Sequence, residues 1–307
     1  MKKIALIARL ATAGFFATLL IIGCKKENSE SLSADQEQQA ATFSTQSETE
    51  SELVFNDVFD NVMGVNTDVG VGGTGVFGRV ASINPGGREM NVDSTPSCVT
   101  VTVTHMTATE PFPLKIVLDF GSGCTGNDGH VRQGKIITIY TGRLVAPGKS
   151  ATTTFDGFKI DSISVQGTHV ITNTTTTNQS QYTVDVTNAK LTKPSGNYSE
   201  WNSHRVVTQV EGNATAIPLD DIFSIQGSAH GRVKRGNDLY AWQSEIIEPL
   251  RKKFICRWIS KGILRVRRET LPANSPWAAT LDYGNGDCDF LANLTINGTT
   301  YAIQLPH

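Results

Sequence analysis

The chain has 307 residues, 27 Lys and Arg against 29 Asp and Glu, and a formal net charge of −2. So even a balance excludes the basic footprint of a general nucleic-acid binder, and no specific nucleic-acid binding is expected. The length allows one large or two small domains with a real core.

The N-terminus reads as a secretory signal. Lys2, Lys3 and Arg9 supply positive charge, and the apolar run from Ala11 to Ile22 is too short and too abruptly ended to span a membrane. It closes on Ile21-Ile22-Gly23-Cys24, which resembles the lipobox of bacterial lipoproteins. That resemblance implies cleavage after residue 23 and acylation of Cys24, with two or three acyl chains giving stable anchorage. The expected partner is therefore a membrane, and the expected location is the outer membrane, on its periplasmic or cell-surface side.

Residues 24–49 are rich in Ser, Gln, Glu, Thr and Ala, and the composition predicts a disordered acidic tether. From Glu27 to Asp60 nine acids occur without a Lys or Arg. A short amphipathic helix is predicted over 50–64, because Val54, Phe55, Val58, Phe59, Val62 and Met63 recur at helical spacing. Ser47 or Thr49 would cap it and Gly64 would stop it. The glycine-rich stretch Gly70 to Gly75 lacks the Gly-Lys-Ser/Thr ending of a phosphate loop, and no cofactor is expected.

The rest, 65–307, reads as β. Candidate strands are Val99 to His105, Leu114 to Phe120, Lys135 to Leu144, Thr152 to Ile160, Ser162 to Asn173, Gln181 to Leu191 and Trp201 to Val210. They continue with Ile222 to Lys234, Leu239 to Ile247, Phe254 to Arg268, Ala278 to Tyr283, Ala292 to Ile296 and Thr300 to Leu305. Turn signals such as Asp156-Gly157, Gly236-Asn237-Asp238 and Asn297-Gly298 separate them. The expectation is an all-β antiparallel meander, as a sandwich or a strongly curved sheet, preceded by one short helix. Glycines inside strands, in Ser164-Val165-Gln166-Gly167 and Ser224-Ile225-Gln226-Gly227, suggest bulges or bends.

An internal repeat supplies the cysteine framework. Leu118-Asp119-Phe120-Gly121-Ser122-Gly123-Cys124 is echoed by Leu281-Asp282-Tyr283-Gly284-Asn285-Gly286-Asp287-Cys288, and each follows an upstream cysteine. Four cysteines in an exported domain imply two disulfides with three connectivities. The repeat selects Cys98–Cys124 and Cys256–Cys288, in two related units of about 98–144 and 256–305. A zinc site lacks its Cys-x-x-Cys or paired His ligands. Asp119, Asp128, Asp282 and Asp287 among glycines form a weaker calcium alternative, since the same residues serve tight turns.

No catalytic constellation appears. There is no His-Glu-x-x-His, no Gly-x-Ser-x-Gly, and no carboxylate pair that the sequence places face to face. His169 and His230 read as ordinary strand positions. Between Arg232 and Arg268 lie eleven bases, opposed only by Asp238, Glu245, Glu248 and the following Glu269, and Arg257, Lys261, Arg265 and Arg267 alternate with apolar residues. They form a candidate positive stripe for an anionic ligand, with a solvated strand face as the plainer alternative.

Several segments together are similar to an uncharacterised lipoprotein family of Bacteroidetes: Val58 to Val65, Leu118 to Gly129, Thr152 to Gly157, Trp201 to Ser203 and Lys253 to Trp258. The resemblance implies an envelope location and no particular activity. The function expected is a non-enzymatic, lipid-anchored envelope protein that binds an anionic glycan or an envelope protein. The alternatives are a structural or assembly component, with the helix docking a neighbour, and a polysaccharide hydrolase.

Overall fold

The computed structural model describes residues 32–63, 98–126, 129–212 and 220–306. The lipobox with Cys24, the Gly70–Gly75 stretch and Asp128 lie outside these residues.

Among the described residues one helix, α1 (Ala34–Met63), precedes fourteen strands: β1 (Thr100–His105), β2 (Leu114–Asp119), β3 (Cys124–Thr125), β4 (Val131–Tyr140), β5 (Ser150–Ile160), β6 (Ile163–Asn173) and β7 (Gln181–Thr192). They continue as β8 (Tyr198–Glu211), β9 (Ile222–Arg235), β10 (Asp238–Lys253), β11 (Ile259–Arg268), β12 (Ala279–Asn285), β13 (Leu291–Ile296) and β14 (Thr299–Gln304). All these pairings are antiparallel and join successive strands, except that β2 pairs with β4, which the two-residue β3 also joins. The meander is one open sheet, so the choice between sandwich and curved sheet falls to the latter.

The helix corrects two expectations. It is 30 residues long, about 45 Å, and begins sixteen residues before the expected start (50 − 34). The predicted tether therefore belongs largely to the folded body. The cap is not Ser47 or Thr49, which are buried mid-helix. It is Ser33: its amide donates to Gln36 Oε1 at 3.0 Å and its hydroxyl accepts from the Gln36 amide at 3.4 Å, a reciprocal capping box. The Ser, Thr and Ala composition that suggests disorder serves close packing instead. Ala40, Ala41, Ser44, Ser47 and Ser51 are all buried, and in the described helix only Ala34, Asp35, Gln36, Gln38, Gln39 and Gln46 are exposed.

The sheet curves around this helix. Strands as far apart as β4 and β14 reach it: Tyr140 donates to the Val62 carbonyl at 3.0 Å, and Gln38 donates to the Tyr301 hydroxyl at 3.0 Å. Phe55 stacks on Trp201 and His169, and Phe59 stacks on Phe254. Glycine bulges produce the curvature. Gly167 (φ +125) sits at the register shift between β6 and β7, and Gly227 (φ +134) within the shift between β9 and β10. A Cβ on Gly227 would lie 2.1 Å from the His204 carbonyl oxygen, so the close approach of β8 and β9 requires glycine.

The repeat is structural. Cys98–Cys124 and Cys256–Cys288 are both bonded, over sequence separations of 26 and 32. In each unit an aspartate turns the chain toward its cysteine. Asp119 Oδ1 accepts from the Gly121 amide and Asp282 Oδ1 from the Gly284 amide, both at 2.9 Å. One strand is corrected: Phe254 to Trp258 forms the β10–β11 connection rather than the start of one long strand.

Candidate functional site

The acids of the N-terminal segment meet the bases of the sheet. Glu37 pairs with Arg268 (2.5 Å), Glu48 and Glu52 with Arg205 (2.7 and 2.9 Å), Asp57 with Arg132 (3.3 Å) and Asp60 with Lys252 (2.9 Å). Glu50 reaches Lys193 at 2.8 Å and Arg235 at 3.7 Å. Six of the seven acids on α1 thus bind the wall around it. At the centre, Glu48 is fully buried and also accepts from Trp201 Nε1 (2.6 Å) and Ser244 Oγ (2.9 Å). Burial pushes the Glu48 carboxyl up, which Arg205 only partly offsets. Burial likewise raises Asp60 to about 6 against the pull of Lys252. Desolvation presses the Arg205 guanidinium down, and Glu52 and Glu48 more than reverse it.

This network changes the meaning of the basic run. Arg235, Lys252 and Arg268 belong to the helix cradle, and Arg232 binds Glu200. Lys261, Arg265 and Arg267 lie together on the outer side of β11, whereas Arg257, in the turn before it, lines a small pocket with Glu52 and Asn56 of α1 and Tyr283 on the helix side. On β11 Arg265 pairs with Glu245 at 3.0 Å, and Arg267 donates to the Leu271 carbonyl. Only Lys261, Arg265 and Arg267 form a row, and its field is weakened by the acid beside it.

Of the calcium candidates, Asp119 and Asp282 are the two turn aspartates, placed in separate units near opposite ends of the sheet. The Gly121 amide holds the Asp119 carboxyl below its usual value, helped by Lys135 against a small desolvation effect. Asp287 is exposed on the connection after β12. Among the described residues no group of three or more His, Cys, Asp or Glu is placed to hold a metal ion.

A concave site among the described residues lies elsewhere, on the outer face of β6 to β10. A groove of about 900 Å³ runs across it. Gln166 comes from β6, Asn188 and Lys190 from β7, Glu200 and Asn202 from β8, Ser228, His230 and Arg232 from β9, and Gln243 from β10, with Glu269 beyond β11. Strand alternation puts these polar residues outward while Trp201, Ala229 and Trp242 face the helix side. Four lining residues, Ala189, Ala229, Gly231 and Ala241, have a small side chain or none. The bulges at Gly167 and Asn188 (φ +53) fall at the groove's edge, where the Asn188 amide donates to Asn202 Oδ1 at 2.8 Å.

Inside the groove Glu200 is held from both sides, by Lys190 Nζ at 3.3 Å and by Arg232 at 2.7 Å. Lys190 also lies 4.1 Å from the centre of the Tyr198 ring. These contacts are partly exposed and contribute little stability, so their effect is to fix side-chain positions. The side chains of Gln166, Asn188, Ser228 and His230 have no protein partner among the described hydrogen bonds and remain available to a ligand.

His230 thus lies in the groove, and the other residues escape sequence reading because each strand shows only ordinary alternation. The signal that does exist is the run of polar outward positions in four successive strands: Asn188-x-Lys190, Glu200-x-Asn202, Ser228-x-His230-x-Arg232 and Gln243-x-Glu245. It becomes a site only once register aligns them, with Asn202 opposite His230 and His230 opposite Gln243. The chain matches no protein-family model, no curated protein and no solved structure.

Proposed function

We propose that the chain is a non-enzymatic cell-envelope protein, anchored in the outer membrane by lipid on Cys24, that binds a ligand in the outer groove of its sheet. The observation that carries this reading is the groove itself, with free polar side chains fixed on rigid strands. The anchor rests on the signal-like N-terminus and its cysteine, and the likeness to Bacteroidetes lipoproteins rests on the segments quoted for it. The helix-docking version of an assembly role loses its basis, because the apolar face of α1 is covered by its own sheet. A hydrolytic role for the groove would draw on Glu200 and Glu269, yet Glu200 is engaged by two cations rather than presented to a substrate.

Two measurements test the proposal. The Cys24→Ser chain should leave the membrane fraction for the soluble one; retention on the membrane would remove the anchor. Hydroxyl-radical footprinting with an envelope polysaccharide extract should protect His230 and its neighbours. Protection confined to β11, or none, would remove the groove as the binding surface.

A further inference from the structure

We infer that the groove takes an uncharged oligosaccharide rather than an anionic ligand, an inference that rests on the groove reading above. The charges lining it sum to zero: Lys190 and Arg232 against Glu200 and Glu269. Three of the four are also bound to one another, with Lys190 and Arg232 both on Glu200. An anion entering the groove would have to displace a carboxylate already paired, whereas a neutral polar ligand leaves the pairing in place.

The groups left over suit hydroxyls. A sugar hydroxyl both donates and accepts, and the amides of Gln166 and Asn188, the hydroxyl of Ser228 and the imidazole of His230 do the same. They stand on strands about 4.8 Å apart and, along a strand, at alternate positions roughly 6.8 Å apart, a lattice on the scale of a sugar ring. The volume of about 900 Å³ exceeds the needs of one ring, and the groove is open at the surface, so a short stretch of chain fits better than a monosaccharide. Of the aromatic rings nearby, Trp242 lines the groove but is buried, and Tyr198 is covered by Lys190. Without a free stacking platform the expected affinity is weak, with a Kd of about 0.1–1 mM.

The test is titration calorimetry of the full chain with six-unit oligosaccharides. The neutral probes are maltohexaose, cellohexaose, xylohexaose and mannohexaose; the anionic ones are hexagalacturonate and a sulfated maltohexaose. At least one neutral probe should bind, with a Kd unchanged between about 50 and 500 mM salt. Binding should weaken at least about tenfold, roughly 1.4 kcal/mol, in Ser228→Trp, which fills the groove, and in the Gln166→Ala, His230→Ala double variant. The stripe variant (Lys261→Ser, Arg265→Ser, Arg267→Ser) should bind as the parent does. Four silent neutral probes would overturn the inference, and so would neutral binding indifferent to Ser228→Trp. Salt-sensitive binding of the anionic probes alone overturns it too. If that binding is lost in Ser228→Trp, the groove reading survives without its neutral ligand; if it is lost in the stripe variant, both fail.

Discussion

Replacing Arg205 by Met tests whether the interior of this protein is held by charge. The guanidinium is nearly completely buried and is the one cation pairing with Glu48 and Glu52 in the described structure. Met keeps the length and apolar character of the stem but leaves two buried carboxylates without a countercharge. Removing one partner of a buried pair costs about 3–5 kcal/mol, a large part of the 5–15 kcal/mol that stabilises a typical domain. With a urea slope of about 3 kcal/mol per molar, the unfolding midpoint should fall by roughly 1–1.7 M at pH 7. The triple variant Glu48→Gln, Glu52→Gln, Arg205→Met should recover most of that loss, since the cost comes from uncompensated charge rather than from a missing contact. Lowering the pH toward 5 should shrink the penalty of the single variant, because burial already raises the Glu48 carboxyl and favours its protonation. A loss under about 1 kcal/mol, or a triple variant as unstable as the single one, would refute the reasoning.

Three further predictions concern the frame. Gly227→Ala should destabilise by at least about 3 kcal/mol, because its Cβ would meet the His204 carbonyl at 2.1 Å on a φ of +134; urea unfolding measures it. Replacing both cysteines of either disulfide by Ser should cost about 3.5 kcal/mol, set by the loops of 26 and 32 residues, and should lower the melting temperature by calorimetry. His169 is fully buried against Phe55, and desolvation lowers its pKa to about 3 from 6.5. Below pH 6.5 the unfolded chain therefore binds a proton that the folded one refuses, so this residue's contribution is complete above pH 6.5 and is lost as pH falls toward 3. The loss is about 2 kcal/mol at pH 5. His169→Phe should flatten that acid limb in stability measured against pH, and an unchanged slope would contradict it.

The β body was readable from alternation and turn residues, and the disulfide pairing from the repeat. Both are local patterns that survive without knowledge of register. The N-terminal segment was misread because low hydrophobicity was taken as inability to bury surface. Ser44, Ser47 and Ser51 are small enough to let a helix lie close against a sheet, and Glu48 and Glu52 are buried because Arg205 lies opposite them. That compensation joins residues about 150 positions apart and leaves no trace at helical spacing. One trace did exist in bulk: nine acids without a base up to Asp60, followed by a body with 22 bases and 20 acids. The groove was hidden for a related reason. Its residues alternate outward like any solvated strand face, and only the bulges and the pairing of β6 to β10 gather them.

The position of the helix cap bears on the anchor proposed at Cys24. With the helix capped at Ser33, eight residues (25–32) separate Cys24 from the cap, nine Cα–Cα steps in all. They reach at most about 32 Å, where a tether running to residue 49 would have reached about 90 Å. The first helical turn is itself pinned, since Glu37 binds Arg268 at the end of β11 and Gln38 reaches Tyr301 on β14. A lipid on Cys24 would thus hold that end of the sheet toward the bilayer. Glu269, at one limit of the groove, directly follows Arg268. The outer face of β6 to β10 would then start near the membrane and run away from it, which suits a long neutral chain approaching across the sheet better than a small solute captured in a closed pocket.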